Sequence, residues 1–500
     1  MAPVARLGVL DDETRLDGAR IDVGVRVGWL VRMARLAPTQ ARPPRLDEMA
    51  KRVGSSPAQL HRLETGKLRS GRLMDGYEAA LGLPAGALRA PVDVTCRGFA
   101  YSPTDRDPGP PVTSVREMSR LTDLVSAPGA TGGEWLAWAR ALSQPGAIGL
   151  HVRQAEQLIA TLASELGRSA SHGYPARYEA MALLRCGPYG DVVLAVAQDV
   201  VGDPHVQVLY DLMSAVGEAA TPEAIAWCLE LLEQDRELLV VGGALALENM
   251  AEVSGRADFW VALVEPLVDV LDRHPEDTPQ HQWISHLVRL VPTAVLDAVG
   301  RTPRRRLAPE AKIRDWSRSR LNRHWSDCQA RARAVTEAIG LPDQPVLARL
   351  LFDIAIGPHE TRAVTSYMLL GALGHFRVPV GEHVAELAEH HPDLVVRDRA
   401  GRRLIGVLHG EYCDLADRWL LHGSHEDRNR ALLLAGAAGH EVPEHVLRAA
   451  LADDAFAPAL YAAGMAGHPS LAALAEDSTL DESARGAARW WIAQGGRIVA

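Results

Sequence analysis

The chain has 500 residues, 47% hydrophobic but only 5% aromatic, and a net charge of −10. That length exceeds a single core, so about two to four domains or a repeat array are expected, and the Ala, Leu, Arg and Glu content favours helix over sheet. No apolar run reaches about 18 residues, so no membrane span is expected. Five cysteines without a CxxC pair argue against a zinc or disulfide framework and fit a reducing bacterial cytoplasm.

The charge is unevenly spread. Residues 24–90 hold 12 Arg/Lys against 5 Asp/Glu, a net of +7, while 1–23 carry −2 and the remainder −15. A basic head on an acidic body is the electrostatic footprint of a nucleic-acid module attached to something else.

Residues 1–23 show no firm pattern and read as a poorly ordered arm, and their start has no apolar core of the secretory type. A helix follows over 24–36, with Val27, Leu30, Val31 and Ala34 as its apolar stripe and Arg26, Arg32 and Arg35 around it. The segment 37–45 holds three prolines and breaks this helix.

The stretch Arg45 to Gly66, RLDEMAKRVGSSPAQLHRLETG, reads as two short helices joined by a tight turn. Leu46, Met49, Ala50 and Val53 share one face of the first helix. Gly54 suits a turn that needs positive φ. Ser55 or Ser56 caps the second helix, and Pro57 sits at its first position, where a missing N–H costs nothing. Leu60 and Leu63 face the first helix, which leaves Ala58, Gln59, His61, Arg62 and Thr65 outward. One or two further helices follow, with Tyr77, Leu81, Leu83 and Leu88 completing a small core.

Gly54, Ser56, Leu60, Glu64 and Gly66 together resemble the Cro/cI-type (Xre-like) helix-turn-helix family over residues 24–90. The resemblance implies a lambda-repressor-like fold that lays its second motif helix in the DNA major groove. It places base contacts at Pro57, Ala58 and Arg62, with Ser56 and Gln59 beside the backbone. Pro57 and Ala58 offer only an apolar surface, whereas Arg62 can bond a guanine edge bidentately. Arg45, His61, Lys67, Arg69 and Arg72 complete the expected DNA-binding set, chiefly toward phosphates. Two departures stand out. The loop before the motif is longer and richer in proline than usual, and Leu46 occupies a position where the family often has a phosphate-clamping Gln.

Residues 91–129 read as a linker, with YSPTDRDPGPPVTS at 101–114 its proline-rich centre and a helix over 115–125. From 130 to 500 the chain reads as helix after helix. Four Ala/Leu/Gly-rich helices end in His375, His409, His440 and His468, spaced 34, 31 and 28 residues apart, with second helices between them. Such periods indicate an α-solenoid and resemble HEAT-type repeats. Repeat neighbours stand about 10 Å apart, too far for these histidines to share an ion, so they are expected to serve helix ends. The segment 301–333 carries 11 Arg/Lys against 3 Asp/Glu, with Trp316, Arg320, Arg323 and His324 near one another. Its basic face is expected to pair with acidic neighbours, or else to meet DNA or an acidic partner.

No GxGxxG, GxxxxGK[ST] or GxSxG motif occurs, so no enzymatic activity, cofactor or metal is expected. The reading is an all-α protein: a helix-turn-helix head, then an α-solenoid of HEAT-like repeats. It is expected to bind double-stranded DNA as a homodimer and regulate transcription, with the repeats dimerising, sensing a ligand or recruiting a protein. The alternative is a helical-repeat scaffold whose head no longer reads DNA, which Leu46, Pro57 and Ala58 favour.

Overall fold

The computed structural model describes residues 9–36, 42–99, 112–254, 257–276, 278–301, 303–308, 318–408, 410–452 and 456–500. Residues 37–41 of the proline-rich loop, most of the linker centre, residues 309–317 with Trp316, and His409 lie outside them, as does the side chain of Arg320. Among the described residues the protein is all-α, with 27 helices and no strand.

Five helices form the head: α1 (Val23–Leu36), α2 (Leu46–Val53), α3 (Pro57–Glu64), α4 (Gly71–Leu81) and α5 (Arg89–Gly98). A first row follows, with α6 (Val115–Ser126), α7 (Gly132–Leu142), α8 (Val152–Leu166), α9 (Gly173–Cys186), α10 (Gly190–Gly202) and α11 (Tyr210–Val216). It continues through α12 (Pro222–Leu231), α13 (Glu237–Ser254), α14 (Ala257–Arg273), α15 (Pro279–Leu290) and α16 (Thr293–Val299). The second row is α17 (Arg318–Ala338), α18 (Pro345–Ala355), α19 (Glu360–Gly371), α20 (Gly374–His390), α21 (Leu394–Leu408) and α22 (Asp414–His422). It ends with α23 (His425–Ala438), α24 (Glu444–Leu451), α25 (Phe456–Ala466), α26 (Ser470–Glu476) and α27 (Glu482–Gln494).

In each row alternate helices pack directly on one another: α7, α9, α11, α13 and α15 in the first, and α19, α21, α23, α25 and α27 in the second. Glycines permit this approach. The Tyr367 ring lies over Gly406 and the Tyr461 ring over Gly436, where an added Cβ would fall about 2.9 and 2.8 Å from the ring atoms. Trp491 covers Gly464 in the same way. The final residues return to the start of the first row. Ala170 N–H donates to the Ile498 carbonyl at 2.7 Å, Ile498 N–H to Arg168 at 2.9 Å, and Arg177 to the Ala500 carbonyl at 2.5 Å.

The two rows have largely separate apolar cores; α1 to α4 of the head share the core of the second row, while α5 contributes to both, with Val94 and Ala90 facing the first row. Helix α1 is buried from Val23 to Arg35 except for half-buried Val25. Trp29 packs its ring 5.7 Å from that of Phe376 and donates from Nε1 to Gln344 at 3.1 Å. Burial of a Trp of this kind stabilises by up to about 5 kcal/mol. Arg26, which the sequence places around the apolar stripe, is fully buried. It pairs with Asp12 at 2.6 Å and Asp353 at 2.7 Å, and Asp353 pairs in turn with Arg362 at 2.7 Å. Two cations and two anions thus close a set from which water is excluded.

This set corrects two expectations. Residues 9–22, expected to be a loose arm, pack on the second row: Arg362 donates to the carbonyls of Arg15 and Gly18, and Arg349 to that of Thr14. Residues 91–98, expected within the linker, belong to helix α5, which packs against α1, α4, α9, α13 and α19. Its first turn is held by the buried Glu78 carboxylate, which accepts from the N–H groups of Gly86, Leu88 and Arg89 at 2.8 to 2.9 Å. No single described helix is long and apolar enough to cross a membrane.

Replacing Asp353 by Asn leaves Arg26 and Arg362 buried beside a neutral amide and should cost about 3–5 kcal/mol, read as a lower urea midpoint at pH 7. The set also gives an acid limb. Burial opposes the Asp12 charge, but Arg26 and the Thr14 hydroxyl outweigh it and hold its carboxyl below the usual carboxylate range. That contribution is present above pH about 4 and is lost as the pH falls through the lowered folded value, so the midpoint should drop there, and drop less in Asp12→Asn.

Candidate nucleic-acid interface

The unit α2–turn–α3 is built by local rules. Glu48 accepts from the Arg45 N–H at 2.8 Å at the start of α2. Gly54 ends α2 at φ 69° with nothing within 4 Å of an added Cβ, so it is required for its backbone angle alone. Ser56 caps α3, its hydroxyl accepting from Gln59 N–H at 3.2 Å, and Pro57 occupies the first position.

What seats this unit is the end of α3. Glu64, 1% exposed, takes two hydrogen bonds from Arg35 at 2.5 and 2.7 Å and one from the Tyr77 hydroxyl at 2.8 Å. Burial and the Glu64 charge push the Tyr77 phenol far above its usual range, so it stays a donor. Gly66 then lies backbone to backbone on α1, at φ 71°. A Cβ on Gly24 would fall 2.9 Å from the Gly66 carbonyl, and one on Gly66 would overlap the Gly24 carbonyl. The Glu-x-Gly pair is therefore the clasp between α3 and the buried helix α1.

With α3 held in this way, Ser56, Pro57, Ala58, Gln59, His61 and Arg62 are all exposed, and α3 packs on α1 and α2. Gln59 Oε1 accepts from the Ser55 hydroxyl at 2.7 Å, which holds the amide near the helix start. Lys67 and Arg72 are exposed beside this surface. Arg45 is exposed too, but it pairs with Asp47 at 3.4 Å.

Arg69 does not belong to this surface. It is 8% exposed and donates to the Cys96 sulfur at 3.2 Å, tying the α3–α4 connection to α5. Cys96 is buried beside it, and burial pushes its thiol up to about 11. Arg69 alternates with Lys67 in sequence, and a side chain pointing inward there gives no signal that charge counting detects.

The head's cations divide sharply. Arg26, Arg32, Arg35, Arg69 and Arg89 are buried, which leaves Arg42, Arg45, Lys51, Arg52, Arg62, Lys67 and Arg72 exposed. Against Asp47, Glu48 and Asp75 this is seven to three, a smaller surplus than the sequence count suggests. Lys51, Arg52, Arg62, Lys67 and Arg72 make no ion pair among the described residues. Lys51 and Arg52 lie on α2, outside the motif positions that the resemblance marks, and follow the buried Met49–Ala50 pair directly.

The other sequence candidates fall elsewhere. In the basic segment, Arg331 pairs with Glu386 at 2.5 Å, Arg333 with Asp343 at 3.2 Å, and Arg301 with Asp269. Arg305 bonds the Asp272 carbonyl at 2.9 Å. Gly439 and Gly467 end α23 and α25 in the left-handed region, and the N–H groups of His440 and His468 close back on Ala435 and Ala463. His468 Nδ1 then accepts from the N–H of Ser470 at 3.1 Å, at the start of α26. His375 departs from this pattern, standing in the first turn of α20, where burial pushes its imidazole down to about 4. Among the described residues no group of three His, Cys, Asp or Glu is placed to hold a metal ion.

Comparison with family models, with curated proteins and with solved structures finds no match for this chain.

Two glycine variants separate the roles of turn and clasp. Gly54→Ala should cost about 1–2 kcal/mol, the backbone term alone. Gly66→Ala adds the collision with Gly24 and should cost clearly more. Urea unfolding of the two variants measures the difference, and equal costs would remove the clasp.

Proposed function

We propose that α2 and α3 are a helix-turn-helix of the Cro/cI type and that the protein is a sequence-specific DNA-binding regulator. The two rows are then HEAT-like repeats that carry and orient this head. The observation behind the reading is the set of five exposed, unpaired cations around an uncovered α3, on a protein whose body arginines are largely paired. Unpaired cations are the form in which charge is free to displace counter-ions from phosphate.

In this reading α3 enters the major groove by its N-terminal half. Arg62 reads a guanine edge with two hydrogen bonds, and Gln59 reads adenine or steadies a phosphate. Pro57 and Ala58 give an apolar surface suited to a thymine methyl. Ser56, His61, Lys67 and Arg72 flank this surface, and Arg45, Lys51 and Arg52 extend it along α2 toward the phosphates. Arg69, buried against Cys96, takes no part in the contact. A homodimer would present two α3 helices to half-sites about 10 bp apart on one face of the duplex.

Mobility-shift titrations across salt concentrations test the assignment. Arg62→Ala should flatten preference at one position, about 1–3 kcal/mol of discrimination, while Lys67→Ala weakens all sequences alike and lowers the salt slope by about one. Arg69→Ala should lower stability and leave the salt slope unchanged. If the full-length protein binds no genomic sequence better than bulk DNA, the regulator reading fails and the scaffold reading replaces it.

A further inference from the structure

A cavity of about 280 Å³ opens between α5, α9, α11, α13 and α19. Its walls are unusual in combining tyrosine rings with carboxylates. Tyr174, Tyr178, Tyr210 and Tyr367 line it, drawn from three separate helices. So do the carboxylates of Asp211, Glu218, Glu248, Glu252 and Glu360, against the single lining cation Arg97.

Three of these five acids have a nitrogen partner. Arg97 reaches Glu218 at 2.8 Å, although it is shared with Glu179 behind it. Glu360 pairs with Arg403 at 2.5 Å, and Glu248 meets His286 at 3.2 Å. Among the described residues the remaining two have hydroxyl donors only. Asp211 accepts from Tyr174 at 2.7 Å, and Glu252 from Thr361 at 2.5 Å. Burial pushes the Asp211 carboxyl up. The protein thus builds a partly enclosed space in which two carboxyl groups lack a cationic partner among the described residues. An aromatic wall adds the negative face of each ring to that space.

A metal ion does not suit the site, because the carboxylates are spread along its walls and no group of three among the described residues converges. The tyrosine rings suit an organic body instead, and the carboxylates suit N–H donors. Tyr367 and Tyr210 have no hydroxyl partner among the described residues, and Tyr210 is 48% exposed, with Glu252 also open to solvent. These two residues give the space an entrance.

We propose that this cavity binds a small aliphatic amine in its ammonium form, with Asp211 and Glu252 as its counter-ions and the tyrosine rings as its walls. The assignment is independent of what the head binds. It goes beyond the DNA reading in naming a ligand class for the body, at a place bounded by helix α5 of the head.

Isothermal titration of the full-length protein with 1,4-diaminobutane tests it, with magnesium chloride as the inorganic control. Saturable binding of one amine per chain is expected, with no comparable binding of magnesium. Glu252→Gln and Asp211→Asn should each weaken the amine about tenfold. Tyr210→Ala, at an exposed position, should weaken it about threefold through the lost ring face. Glu482→Gln, on helix α27, which does not line the cavity, should leave it unchanged. Thermal unfolding of each variant confirms that it is folded before its affinity is read. The proposal is overturned by absence of saturable heat up to about 10 mM amine. It is equally overturned by Glu252→Gln binding as tightly as the parent, or by magnesium competing for the same site.

Discussion

The pairing of Arg26 with Asp353 decides how this molecule is put together. A fully buried guanidinium is expensive to desolvate, and a single carboxylate rarely compensates it. Here Asp12 arrives from the N-terminal segment and Asp353 from α18, with Arg362 behind it on α19. Each charge is buried only because the others are present. The N-terminal segment, helix α1 and the second row therefore have to assemble together, and Trp29 against Phe376 adds the apolar half of the same seam. The head then sits on the body through a helix with almost no free face.

That constraint passes outward to the candidate interface. Glu64 binds Arg35 of α1, and Gly66 lies on Gly24 of the same helix. The direction of α3 is consequently set by α1, and the direction of α1 by the second row. Arginine is used in two ways along this path. Where it is buried, as at positions 26, 35, 69 and 97, it bonds carboxylates, carbonyls or sulfur and fixes one element to another. On the outer face of α2 and α3 it is left unpaired. The same residue type thus serves assembly inside and charge display outside, and only burial tells them apart.

Local grammar was legible in the sequence. Gly54, Ser56 and Pro57 act through their own backbone neighbours, so their spacing was enough to place α2, the turn and α3. The helix ends at 439–440 and 467–468 were legible for a similar reason, since each Gly-His pair closes its own helix. Long-range pairing was not legible. Arg26 and Asp353 stand 327 positions apart, and nothing in the local pattern around Arg26 distinguishes a buried partner from a solvated face. Residues 9–22 looked loose because their bonds go to Arg349 and Arg362, far along the chain. Helix α5 looked like linker because its neighbours come from both rows. The tyrosine-lined cavity is the extreme case, since no two of its helices are adjacent in sequence.

The central claim is that head and second row form one cooperative unit around the buried charge set. Native-state hydrogen exchange of the full-length protein measures this directly. The amides of α1 should exchange with the same free energy and the same denaturant dependence as those of α18, and Arg26→Leu should lower both together. Exchange of α1 at markedly lower free energy than α18, with α18 unmoved by that substitution, would contradict the account.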